Sequence, residues 1–208
     1  MSEKATAKEN SPPSTSEKIL EAAKALFAER GFKGTTTSAI AKRAGVNEAL
    51  IYRHFPAKGD LYTAILRERL ESEAMIKLLK VAECQALTVE GALRLVAERF
   101  CQAQDPVFLR LYYHSALEGH ALASEFYDQY QRRFVAMVDQ LILRGIEEGL
   151  FRKVDSLLAA QAFIGMFRAY FVGTELFPDP TLKRPREEVV AMFCDVFIQG
   201  IRRLEKKY

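Results

Sequence analysis

Residues 35–55 have to turn a tight corner between two short helices, and their side chains fix how that corner is made. Ala41 is small enough for a following helix to cross close to its backbone. Gly45, four residues on, stands where the turn needs a positive φ, which a residue without Cβ adopts freely. Val46 plugs the angle between the helices, and Ile51, ten residues after Ala41, points back into a core completed by Ile40 and Phe55. Asn47 is a good N-cap for the second helix of the pair. The layout is a helix-turn-helix whose second helix covers residues 48–54.

Upstream, Ile19, Ala22, Ala23, Leu26 and Phe27 recur at helical spacing and give a first helix one apolar face. Ser16 is expected to cap it, Glu17 favours the positive end of its dipole, and Gly31 ends it. Thr37 is expected to cap a helix over 38–44. Residues 1–15 carry Pro12-Pro13 and no apolar face, so a disordered arm is expected there. Further amphipathic helices are expected near 59–80, 88–103, 105–118, 121–148, 155–176 and 186–205. Thr88, Asp105-Pro106, Gly119, Gly149 and a proline-bearing loop over 178–185 mark the breaks. The expected fold is all-α with about nine helices, a head over 16–60 and a body over 61–208.

Charge separates the two parts. The net charge is only +3, but residues 1–58 hold ten Lys/Arg against six Asp/Glu, and residues 59–208 hold twenty against twenty-one. The positive excess sits on the head, as a polyanion-contacting end requires. Cys84, Cys101 and Cys194 are widely spaced, with no CxxC or Cys/His cluster, so neither a disulfide framework nor a structural zinc site is indicated. No stretch reaches the ~20 apolar residues of a bilayer span. The N-terminus lacks a signal-peptide core, and a cytoplasmic location without membrane contact is expected. The histidines are His54, His114 and His120, and no nucleophile elbow, phosphate loop or dinucleotide fingerprint accompanies them. No enzyme, cofactor or metal is expected. His114, Glu118 and His120 are the nearest approach to a metal cluster, and Gly119 interrupts their register.

A helix over 48–54 is roughly 10 Å long, which suits insertion of its N-terminal end into a DNA major groove. Glu48, Ala49 and Leu50 occupy that end: a carboxylate for a cytosine amino group and two apolar side chains for thymine methyls. Asn47, Tyr52, Arg53, His54 and Lys58 flank it and suit contacts that position the head without reading sequence. Thr37 and Ser38 offer hydroxyl and backbone N–H groups to a phosphate, with Lys42 beside them. The alternative is a helical small-molecule- or metal-binding protein or enzyme without DNA readout.

Residues 16–65 resemble the DNA-binding domain of the tetracycline-repressor (TetR) family. The resemblance lies in ILEAAKALFAERGFKGTTTSAIAKRAGV followed by LIYRHFPAKGDLYTAI, with the spacing Gly31, Thr36, Ile40-Ala41, Ala44-Gly45-Val46, Tyr52, Phe55, Lys58 and Leu61. It implies a homodimeric repressor on an inverted-repeat, double-stranded operator, with a helical C-terminal domain whose small ligand spreads the two heads. It also places Thr37, Ser38, Glu48, Ala49, Leu50, Tyr52, His54 and Lys58 at positions similar to the family's DNA contacts. The helix from residue 59 would link head and body.

In the body, residues 157–171 hold only Gln161 and Arg168 as strongly polar side chains, and the last helix is apolar on two sides. A helix apolar on most sides is buried on most sides. A two-fold four-helix interface is therefore expected on Phe163, Phe167, Phe171, Val190, Phe193, Phe197 and Ile201. Phe100, Phe108, Tyr112, Phe126, Tyr130, Phe134, Phe163 and Phe167 suit an apolar cavity for a small hydrophobic ligand, with Tyr112, His114, Gln129 and Arg168 as polar anchors.

Overall fold

The computed structural model describes residues 13–70, 72, 87–119, 121–177 and 180–203. Among them the helices are α1 (Thr15–Arg30), α2 (Thr37–Ala44), α3 (Glu48–His54), α4 (Lys58–Leu70), α5 (Val89–Gln102), α6 (Pro106–Leu117), α7 (Ala121–Phe126), α8 (Arg132–Glu147), α9 (Ser156–Glu175) and α10 (Arg186–Ile201). A π-helical turn over Tyr127–Gln131 joins α7 to α8, so the two form one rod and the described residues make nine rods. An isolated antiparallel bridge pairs Phe151 with Arg202. The arm bearing Lys4 and Lys8, Ile76 and Leu78 of the expected long helix, Cys84 and His120 lie outside the described residues.

Two caps sit one or two residues earlier than the sequence reading had them. Ser14, not Ser16, caps α1: its hydroxyl accepts from Glu17 N–H at 3.2 Å, and its own N–H donates to the Glu17 carboxylate at 2.7 Å. Such a reciprocal cap satisfies two orphan donors and is worth about 1 kcal/mol. Thr36, not Thr37, caps α2, accepting from Ala39 N–H at 3.1 Å. Asn47 caps α3 as expected, accepting from Leu50 N–H at 2.8 Å. Gly45 ends α2 in the left-handed conformation, φ 70° and ψ 33°.

The apolar face of α1 meets Ile40, Ala41 and Ile51, all buried, with Val46 and Phe55 packed against them. This core does not stop at the head. It continues through Leu61, Tyr62, Ile65 and Leu66 on α4 into the body. The rings of Phe27, Phe32 and Tyr62 stack and edge onto one another at 5.4–5.6 Å, and the Tyr62 hydroxyl donates to the Leu111 carbonyl on α6 at 3.1 Å. The body helix α6 packs on α1 and is tied to the head at both of its own ends, Asp105 and Glu118. Lys24 pairs with Asp105 at 3.0 Å, and the Lys33 N–H donates to the Glu118 carboxylate at 3.2 Å. Gly31, at φ 72°, lies so close to Glu118 that a Cβ there would overlap its carboxylate.

The expected dimer residues need correction. Phe163, Phe167, Phe171, Val190, Phe197 and Ile201 are all buried within one protomer, and only Phe193 of that set is half-buried. Their rings pack inward, Phe163 on Phe197 at 5.0 Å and Phe167 on Phe193 at 5.3 Å. The exposed apolar side chains of α9 and α10 are different ones: Leu157, Leu158, Ala162, Ala169, Ala191, Met192 and Val196. A second difference concerns α9, which by length and composition alone is long and apolar enough to cross a membrane. Its Phe163, Ile164, Phe167 and Phe171 are core residues of an all-helical bundle.

Candidate nucleic-acid interface and ligand cavity

At the head, α2 and α3 present one continuous edge. Ser38, Lys42, Asn47, Ala49, Tyr52, Arg53 and His54 are exposed along it, and Thr37, Glu48, Leu50 and Lys58 are half-buried. Tyr52 is half exposed although large and aromatic, which a packing residue would not be. Its hydroxyl lies 3.1 Å from the Thr37 hydroxyl, which in turn donates to the Glu48 carboxylate. Thr37, Glu48 and Tyr52 therefore form one small network that braces α3 against α2. Glu48 is accordingly less available to a base edge than its sequence position indicated.

Lys58 has a structural use that sequence reasoning missed. Its ammonium donates to the carbonyls of Phe32 at 2.8 Å and Thr35 at 2.9 Å and sits 4.4 Å from the centre of the Phe32 ring. It ties the start of α4 to the loop before α2. One N–H of the three remains for a phosphate. Arg43, exposed on α2, pairs with Glu29 at 2.7 Å. His54 lies exposed beside the Phe55 ring.

In the body, a cavity of about 70 Å³ opens between α4, α5, α6, the π turn and α9. Six of the expected ligand residues line it: Phe100, Phe108, Tyr112, Phe126, Tyr130 and Phe134. Phe163 and Phe167 do not; they belong to the packing of α9 on α10. Arg168, expected as an anchor, is in the wall. His114 and Gln129 are not, His114 lying instead beside Gly31 and Glu118 under the head. The sequence reading did not single out Arg69, Gln104, Asp105 or Gln131, which are also in the wall. An arginine on an amphipathic helix ordinarily reads as solvated surface, so no pattern flagged Arg69.

Arg69 reaches back from α4. Its guanidinium donates to the Ala103 carbonyl and lies 5.3 Å over the Phe108 ring, while its Nε is buried and finds no acceptor among the described residues. The Tyr130 hydroxyl is likewise buried and without a partner. A buried polar group left unpaired costs about 1–3 kcal/mol. Burial pushes the Tyr130 phenol up and works against the Arg69 charge. Asp105 is fully engaged: burial opposes its charge, but Lys24 and the N–H groups of Phe108 and Val107 hold the carboxyl below the usual range. Elsewhere, burial pushes the Cys101 thiol up to about 12 and that of Cys194 up to about 11, so both stay protonated at neutral pH and pack as small hydrophobes. Among the described residues no three His, Cys, Asp or Glu side chains group to hold a metal.

An all-helical chain with an exposed, capped α3 set at a glycine turn against α2 is a helix-turn-helix protein. Residues 19–65 match the family of bacterial regulatory proteins called tetR, and residues 91–200 match the C-terminal domain of AefR-like transcriptional repressors. YvkB of Bacillus subtilis, an uncharacterized HTH-type transcriptional regulator, is 25% identical over 90% of this chain and 97% of its own. The nucleoid occlusion factor SlmA of Sodalis glossinidius is 32% identical over 84% of this chain and 91% of its own. Among solved structures, the ketosteroid transcriptional regulator KstR2 of Mycobacterium tuberculosis superposes with a TM-score of 0.73, covering 93% of this chain and 98% of its own at 22% identity. The chain belongs to the TetR family of DNA-binding transcriptional regulators. Dimerisation and release by a ligand are typical of that family.

Proposed function

We propose that this protein is a homodimeric repressor of the cytoplasm that holds an inverted-repeat operator and lets it go when a small, largely apolar ligand enters the aromatic cavity. It carries out no catalytic step. Residues 16–60 are the reading head and residues 61–208 the ligand-binding and dimerisation body. The observation that carries the reading is the exposed edge of α2 and α3, with Ala49 outward and Tyr52, Arg53 and His54 beside it. Ala49 and Leu50 meet thymine methyls, and Glu48 turns to a cytosine amino group only by loosening its bond from Thr37. Thr37, Ser38, Lys42, Asn47, Tyr52, Arg53 and His54 anchor phosphates, with Lys58 contributing its remaining N–H. The dimer forms on these exposed apolar side chains of α9 and α10, Leu158, Ala162, Ala169, Met192 and Val196 among them.

The likeness to SlmA, named a nucleoid occlusion factor, favours a second reading in which DNA binding serves nucleoid occlusion, and that role by itself calls for no small ligand. The cavity with its unpartnered polar groups favours the first. Footprinting across the DNA upstream of the protein's own gene, with and without small organic ligands, separates them. A protected inverted repeat that is lost on adding ligand supports repression with release. Protection that no ligand disturbs supports the second reading, and no protection at low salt sinks both. The Tyr52→Ala variant is expected to weaken operator and unrelated DNA alike, about tenfold, with the dimer intact.

A further inference from the structure

We infer that the cavity takes a compact carboxylic acid, an aromatic or short aliphatic ring or chain bearing one anion, held by Arg69 and Tyr130. The inference rests on the ligand-responsive reading and names the chemistry of that same cavity. Both unpartnered groups in its wall are donors. The Arg69 Nε–H can only donate and the Tyr130 O–H can donate as well; both side chains line the cavity, and both atoms are covered by it, so an occupant reaches them as the wall opens. Neither group meets an acceptor among the described residues. The cavity's charges point the same way. Arg69 and Arg168 bring two positive charges, while the wall's one carboxylate, Asp105, is already held by Lys24 and two backbone N–H groups. A neutral acceptor, or water, would satisfy the hydrogen bonds and leave the guanidiniums of Arg69 and Arg168 with one nearby carboxylate, Asp105, which Arg69 shares with Lys24. A carboxylate answers both, since its two oxygens fit a guanidinium edge and a neighbouring hydroxyl together.

The rest of the occupant is apolar and small. Phe100, Phe108, Phe126 and Phe134 supply ring faces, and a cavity of about 70 Å³ holds roughly five waters. That is below the usual volume of a drug-sized site, about 300–1,000 Å³. A single ring with a carboxyl group is the scale it admits with modest opening.

Arg69 also makes the site responsive. Its guanidinium donates to the Ala103 carbonyl, where α5 ends, and covers Phe108 near the start of α6. It thereby latches α4, which carries the head, to the two helices of the cavity wall. An arriving carboxylate draws the guanidinium to itself and loosens that latch. The ligand is read by the same side chain that holds α4 to the cavity wall.

The test is calorimetric titration of the full-length protein with benzoate and phenylacetate, beside the neutral benzamide and phenylacetamide. At least one acid is expected to bind tenfold or more tightly than its amide. Arg69→Met, which keeps the apolar stem, is expected to weaken the acid at least tenfold and leave the amide within twofold. Tyr130→Phe, which keeps the ring, is expected to weaken the acid by threefold or more. It keeps the assignment testable if Arg69→Met unfolds. Equal binding of acid and amide, no acid binding at millimolar concentration, or acid affinity unchanged in both variants overturns the inference. The titrations need no DNA. Acid binding without operator release would leave the assignment standing and remove the ligand-responsive reading, whereas release by an unrelated neutral compound would do the reverse.

Discussion

An ammonium group has three N–H donors, and at Lys58 two of them point at the carbonyls of Phe32 and Thr35. Hydrogen bonds from a charged donor are worth about 1.5–3 kcal/mol in buried settings. Lys58 is half-buried, so about 1–2 kcal/mol in total is the scale to expect. Lys58→Met should lower the unfolding free energy by that amount, read as a lower urea midpoint at unchanged slope, while DNA affinity measured well below the transition falls less than threefold. A large loss of affinity with an unchanged midpoint would make phosphate contact, and not the two carbonyls, the main use of Lys58. The same scale shows what sequence can and cannot deliver. Ala41, Gly45 and Ile51 were readable because a tight turn tolerates few residue types. The caps slipped because Ser14-Thr15-Ser16 and Thr35-Thr36-Thr37 offer several hydroxyls in a row, each chemically able to cap. Only the backbone decides which one does.

At the scale of elements, α9 is the instructive case. It is apolar nearly all round, so periodicity could not say which face looked inward. The large rings at Phe163, Phe167 and Phe171 drew the interface assignment, yet large rings gain most from the protomer's own interior. What remains outside is smaller, with Ala162 and Ala169 on α9 beside Met192 and Val196 on α10. Met192→Glu combined with Val196→Glu should give monomers by sedimentation, with helix content retained. Phe197→Ala should instead lower stability by about 3–5 kcal/mol and leave the protein dimeric. Dimers persisting in the double variant would move the interface elsewhere. The π turn was equally hidden, because residues 121–148 read as one amphipathic run. It brings Tyr130 and Gln131 into the cavity wall. Inserted π turns recur at functional sites for that reason.

For the whole molecule, the uneven charge of the chain was visible from the start and its use is electrostatic. Each phosphate neutralised contributes about 0.9 to the slope of log affinity against log salt. Arg53→Ala removes one candidate contact per head, so a dimer should lose roughly two from that slope, equally on operator and unrelated DNA. An unchanged slope would mean Arg53 faces away from the backbone. The fold class and the head were legible in sequence because they depend on spacing. The joint between head and body was not, because Lys24 with Asp105 and Lys33 with Glu118 are 81 and 85 residues apart. That joint bears on how a signal would move. With α6 splinted to the head at both of its own ends, and with no side chain at Gly31 to act as a cushion, there is no slack between them. The helix that supplies Phe108 and Tyr112 to the cavity wall is thus joined directly to the head. On the proposed ligand-responsive reading, an occupant there bears on a helix that is already part of the joint, and Arg69 ties α4 to that same helix.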